Sequence, residues 1–224
     1  MIIRTESISF PRSGHAPLYN SMKRYFGDQL VYCDAQDLKG LNCGCRSVPC
    51  INPKNNFSKS HDWGLRNSNG LEVRAGQHYL VQYRNPVRSI ASDYNLDVQQ
   101  NPHKGGREDW YEFAREAIAY WNKLIDKWVI GLHDRDNPQL ICSYEQLVQD
   151  PIDTVTRVVE FVTDEPVDGE ALQREISQIR IRPLNRLAEF RHFDTGFFRE
   201  IEAIAGERMT TLAIPSFEDL QASG

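Results

Sequence analysis

The chain has 224 residues, 40% of them hydrophobic and 25% charged, which suits one soluble globular domain over 1–224 with a sizeable core. Its formal net charge of −5 argues against a nucleic-acid surface, although a local basic pocket is compatible with it. No stretch is long and apolar enough to span a bilayer, and Arg4 and Glu6 interrupt what would have to be the apolar part of a signal peptide. The expectation is a cytoplasmic protein without stable membrane insertion.

Residues 2–10 read as a strand that Pro11-Arg12-Ser13-Gly14 terminates, and a helix is expected from Pro17, since proline suits a first helical turn. LVYC at 30–33 is a short strand, and 36–56, rich in Gly, Asn, Pro and Cys, is a long loop. Cys33, Cys43, Cys45 and Cys50 fall within 18 residues, spaced C-x9-C-x-C-x4-C. That is not a standard zinc pattern and no histidine lies inside it, so the loop is read as a group of thiols open to oxidation, and no metal ligand is assigned.

HYLVQYR at 78–84 is a buried strand that ends before Asn85-Pro86, where a helix begins with Val87, Ile90, Ala91 and Tyr94 on one face. The strongest helical period runs over 108–131, with Trp110, Trp121 and Trp128 assigned to the core. QLICSY at 139–144 is another strand, followed by helices at 144–149, 151–163, 169–178 and around 197–205. Strands alternating with helices imply an α/β fold of three layers, a central parallel sheet flanked by helices. Ligands gather at the carboxyl ends of such strands, which places Arg12-Ser13-Gly14, the end of 78–84 and Ser143-Tyr144 at one rim.

The first loop could present the backbone N–H groups of residues 13–17, less the donor that Pro17 lacks, to an anion, with Arg12 adding charge and Gly14 permitting close approach. The ATP-binding pattern G-x4-G-K-[ST] is absent, so neither the lysine nor the magnesium-binding hydroxyl of that motif is present. In RNPVRSIASDY, Arg84 at a strand end and Ser92 eight residues on can reach one phosphate from two sides. In FSKSHDW, His61 is a candidate general base, Lys59 shares its side of an extended segment, and Asp62 is weighed as a group that orients the imidazole.

In this order the pieces resemble the sulfotransferases that use 3′-phosphoadenosine-5′-phosphosulfate (PAPS). PRSG at 11–14 resembles the family's phosphosulfate loop, Arg84 and Ser92 its 3′-phosphate pair, Lys59-Ser60-His61 its Lys-x-His segment, and Tyr144-Glu145-Gln146-Leu147 its adenine-side Tyr-Glu-x-Leu. The resemblance covers roughly 2–163 and implies a P-loop nucleotide hydrolase-like fold, PAPS as co-substrate, 3′,5′-adenosine bisphosphate (PAP) as product, and no required metal. It implies His61, Lys59 and Arg12 as catalytic residues, with Arg12, Ser13, Gly14, His15, Ala16, Arg84, Ser92, Tyr144 and Arg191 holding the nucleotide.

The chain departs from the pattern in places. The loop continues His15-Ala16-Pro17 instead of a hydroxyl pair, with His15 weighed as a partial replacement for the lost hydroxyl contact, its cation is Arg12 instead of lysine, and a C-terminal Arg-Lys-Gly-x-x-Gly clamp is matched only at Arg191 and Gly196. The acceptor expected is a small molecule, lipid or carbohydrate that offers a hydroxyl or amine. Two other classes stay open: a relative that binds a nucleotide or glycan without turnover, and a nucleotide-dependent phosphotransferase.

Overall fold

The computed structural model describes residues 1–34, 43, 45, 47–67, 69–101, 103–133, 135–176 and 195–222. Its centre is a five-stranded parallel sheet of β1 (Thr5–Ser9), β2 (Tyr32–Asp34), β3 (Phe57–Ser60), β4 (His78–Tyr83) and β5 (Gln139–Ser143), in the spatial order β2-β3-β1-β4-β5. The chain first builds outward from β1 to one edge, then returns to build the other. The carboxyl ends of β3, β1 and β4 therefore flank a topological switch point, where such sheets place their ligands.

The strand expected over 2–10 is shorter, Thr5–Ser9, and four of its five residues are polar. Thr5, Glu6, Ser7 and Ser9 are all buried with Ile8 in the middle of the sheet. They remain there because each finds a partner: Thr5 Oγ1 donates to Ile3 O, Ser58 Oγ to Glu6 Oε2, Ser7 Oγ to Gln82 Oε1, and Ser9 Oγ meets His61 Nδ1. β3 is a further strand, not expected from the sequence. FSKS carries a single apolar residue, and its burial comes from pairing Thr5–Ile8 with Phe57–Ser60, a long-range contact with no local signature.

Alternation along the strands divides the core into two layers. Ile8, Tyr79, Val81 and Tyr83 face α2 (Pro86–Gln100), α3 (Arg107–Leu124) and α7 (Thr195–Thr211). Phe57, Leu80 and Cys142 face α1 (His15–Phe26), α4 (Tyr144–Gln149), α5 (Pro151–Thr163) and α6 (Gly169–Ile176). A last helix, α8 (Phe217–Ala222), was not expected; Phe217 packs on Phe198 with ring centroids 5.5 Å apart.

The helix expected over 108–131 is α3 continued by a π-helical stretch, Ile125–Ile130, and Trp110, Trp121 and Trp128 are core residues. The helix expected over 169–178 is α6, described to Ile176, and the one near 197–205 extends to Thr211. Caps legible in the sequence fix several starts. Asn85 accepts from Arg88 N ahead of Pro86, Ser143 and Gln146 form a capping box, and Asp150 accepts from Asp153 N ahead of Pro151.

Candidate functional site

The chain leaves β1 through Phe10 and turns sharply. Arg12 has φ 64 and Gly14 φ 90, and Ser13 N donates to Phe10 O. Gly14 then caps α1, which starts at His15, two residues before the expected Pro17, because the left-handed turn already aims the backbone into the helix. A Cβ on Gly14 would lie 2.6 Å from Tyr144 Cδ2, so only glycine fits both the turn and the ring against it. Gly14→Ala is expected to cost about 1–3 kcal/mol, read as a lower midpoint in urea unfolding. An unchanged midpoint would show that the loop rearranges freely.

Three further elements close on this loop. Arg84, at the end of β4 and 4% exposed, donates from Nη1 to Arg12 O and lays its guanidinium 4.3 Å from the centre of the Tyr144 ring. Ser92, two turns into α2, accepts a 3.0 Å hydrogen bond from Arg12 Nε. Trp121 Nε1 donates to Arg84 O, and Glu145 accepts from Asn85 N, so the backbone at the β4–α2 junction is fixed from two sides. Burial lowers the pKa of Arg84; Tyr144 and Glu145 partly offset this, and Arg88 and Arg12 push it further down. Among the described residues, two buried polar atoms here, Ser13 Oγ and Arg84 Nε, have no hydrogen-bond partner. A buried Arg84 with an exposed Arg12 beside it, two orphaned polar atoms and a helix start together make a cradle that suits an anion.

His61 follows β3 at the same rim. Its Nδ1 lies 2.6 Å from Ser9 O, an acceptor only, so Nδ1 carries the proton and Nε2 is the basic nitrogen. Burial holds the imidazole pKa down at about 4, with the Lys59 ammonium adding to the effect. Tyr120 donates to the His61 carbonyl, and Trp63 meets the imidazole edge-on at 5.2 Å. Lys59, paired in register with Ser7 of β1 and Asp34 of β2, forms a 3.4 Å ion pair with Asp34.

Two expectations need correction. Asp62 does not orient His61. It is buried with φ 47, and its carboxylate turns away to accept from Leu71 N, Lys127 Nζ and Trp128 Nε1. The His15 ring does not replace the lost loop hydroxyls either. It lies against the sheet face, with Nδ1 beside Ser7 Oγ and Gln82 Oε1, and Nε2 3.1 Å from Tyr32 OH. Burial, with the neighbouring Lys59 and His61, holds its pKa well below the ordinary imidazole value. Arg191 lies outside the described residues.

The structure brings Arg12, Ser13, Gly14, Arg84, Ser92 and Tyr144 into one cluster and sets Lys59 on the adjoining strand β3 with His61 just after its end. Sequence reasoning missed Ser9, Tyr120, Trp63 and Arg66, whose guanidinium lies 4.4 Å from the Trp63 ring centre and 5.2 Å from that of Tyr120. Only Ser9 had a signal: Ser7 and Ser9 alternate onto the face that His61 shares. Arg66 and Tyr120 come from separate elements with no common motif.

A family model described as "Sulfotransferase domain" matches residues 77–195, just over half of the chain; the 11–14 loop and the Lys59–His61 segment lie outside that span. No curated protein matches. Among solved structures, the chain is similar to mouse sulfotransferase SULT7A1 complexed with PAP, at 15% identity and a TM-score of 0.56, over 92% of this chain and 84% of that one. It is also similar to retinol dehydratase. The complex with retinol and PAP gives 14% identity and a TM-score of 0.51, and the complex with androsterone and inactive cofactor PAP gives 15% and 0.54. Each covers 92% of this chain and 80% of the other.

Proposed function

Because this chain belongs to the PAPS-dependent sulfotransferase family, we propose that it moves a sulfuryl group from PAPS to a hydroxyl or amine of a small-molecule, lipid or carbohydrate acceptor, with His61 as general base. The observation that carries the site assignment is the meeting of the 11–14 loop, Arg84 and Ser92 in one cationic cradle with two orphaned polar atoms. Bound PAPS supplies the activated sulfuryl group and the bisphosphate that leaves.

The residues then have distinct tasks. The backbone N–H groups of Gly14, His15 and Ala16 face the 5′-phosphosulfate from the positive end of α1, and Ser13, whose N–H is held by Phe10 O, offers its unpartnered Oγ. Arg84 and Ser92 hold the 3′-phosphate, Tyr144 borders the adenine side, and Arg191 adds a second 3′-phosphate contact. Arg12, resting on Ser92, shares or releases that hydroxyl to stabilise charge on the bridging oxygen as the sulfur–oxygen bond breaks. Lys59 offsets charge on the sulfuryl oxygens, and Asp34 positions it. Nε2 of His61 accepts the acceptor proton, while Ser9 O retains the Nδ1 proton and fixes the ring. Trp63, backed by the buried Tyr120 and with Arg66 over its ring, gives the acceptor side an aromatic wall.

The test is PAP release from PAPS with a panel of sterols, retinoids, phenols and sugars. Acceptor-dependent release without added magnesium is expected. Bisphosphate binding with no release for any acceptor would favour a non-catalytic relative, and magnesium-dependent turnover of ATP would favour a phosphotransferase.

The pH profile follows from the imidazole. A base with its pKa held at about 4 is neutral down to that pH. The acid limb of kcat/KM, which reports the free enzyme, should therefore fall near pH 4 instead of near the ordinary histidine value. Bound anions raise that pKa, so the acid limb of kcat should lie at higher pH. An acid limb of kcat/KM at about 6.5 would mean that His61 is not the titrating base.

A further inference from the structure

We infer that Cys33, Cys43, Cys45 and Cys50 form a tetrathiolate site for one thiophilic divalent cation, zinc above all, separate from the transfer chemistry. Their four Sγ atoms all lie within 4.8 Å of one another. The contacts run as a chain, not as two isolated pairs: Cys33 to Cys45 is 3.6 Å, Cys45 to Cys50 is 3.5 Å, and Cys50 to Cys43 is 3.6 Å. Four sulfurs set tetrahedrally about zinc, with Zn–S near 2.3 Å, lie about 3.8 Å apart. The thiols are thus nearly at ligand spacing around a common centre. Two disulfides would instead leave two short contacts and no third of equal length.

The surroundings suit a structural site. Cys33 belongs to β2, and Cys50 is held from both sides. Asn55 Nδ2 donates to its Sγ at 3.1 Å, and its backbone N–H faces the buried Glu6 carboxylate of β1, which also accepts from Ser58. Cys33 and Cys50 are buried, while Cys43 and Cys45 are half-buried, which gives a cation a way in. Asn55, donating to a ligand sulfur, is the kind of outer partner that fixes a thiolate in place. The spacing matched no standard pattern because the first ligand comes from a strand and the other three from the loop that returns beside it. On binding, four S–H bonds are replaced by four metal–sulfur bonds, and four protons leave to solvent. The bound ion would tie Cys43, Cys45 and Cys50 to edge strand β2, whose Asp34 holds Lys59.

The test uses the full chain purified under reducing conditions. Zinc content is measured by elemental mass spectrometry, then Co²⁺ is titrated into the chelator-stripped protein and its thiolate charge-transfer and tetrahedral d–d bands are recorded. One zinc per chain and a cobalt spectrum saturating at one equivalent are expected. Cys43→Ser and Cys45→Ser should each abolish the four-thiolate spectrum, Cys142→Ser should leave it unchanged, and Asn55→Ala should weaken metal affinity about 10–100-fold at unchanged stoichiometry. Circular dichroism separates loss of the site from loss of the fold. A reduced protein of native dichroism that binds neither Zn²⁺ nor Co²⁺ at micromolar concentration would overturn the proposal. So would a cobalt spectrum that survives both serine variants.

Discussion

Replacing His61 by alanine is expected to lower turnover by roughly 10²–10⁴-fold and to leave binding of 3′,5′-adenosine bisphosphate within a few-fold of the parent. The ring is placed by β3 and held through Nδ1 by Ser9 O, while the phosphate cradle is built from the 11–14 loop, β4 and α2. Removing the imidazole thus deletes the proton acceptor and spares the anion contacts. Activity is compared in single-turnover experiments with an acceptor from the panel, and binding by calorimetry. If bisphosphate binding collapses while the dichroism spectrum stays native, His61 is a ligand residue and the base lies elsewhere.

Arg84→Ala is expected to weaken 3′,5′-adenosine bisphosphate by about 2–5 kcal/mol, the range for truncating one member of a desolvated charge pair, and AMP by far less. Arg84 is buried at a strand end, stacked on Tyr144, with Nε lacking a partner among the described residues. Its burial is costly without an anion, and an anion with two further oxygens in reach would relieve that cost most. An equal loss for both nucleotides would contradict the 3′-phosphate assignment, because Arg84 would then act only through the loop carbonyl it holds.

The architecture was legible where local signals agree with the fold. HYLVQY is a continuous run buried on both faces, Asn85-Pro86 and Asp150-Pro151 mark helix starts, and the period over 108–131 locates the core tryptophans. The cradle was legible because strand end, helix and spacing are all local: Arg84 and Ser92 lie eight residues apart on one connection. What long-range pairing decides was not legible. β3 gains its burial from β1, Asp62 turns to Lys127 and Trp128 on α3's π-helical continuation, and the His15 ring is drawn into Ser7, Gln82 and Tyr32 on three different strands. The four thiols belong to the same class, since their spacing along the chain says little about a meeting that β2 and its return loop arrange.

The central claim is that the 11–14 loop, Arg84 and Ser92 form a site for a 3′-phosphorylated adenosine nucleotide. Calorimetric titration with 3′,5′-adenosine bisphosphate, against AMP and magnesium–ATP, tests it most directly. Tight binding of the bisphosphate with much weaker binding of the other two is the predicted result. Preference for magnesium–ATP, or no binding of any of the three, would contradict it.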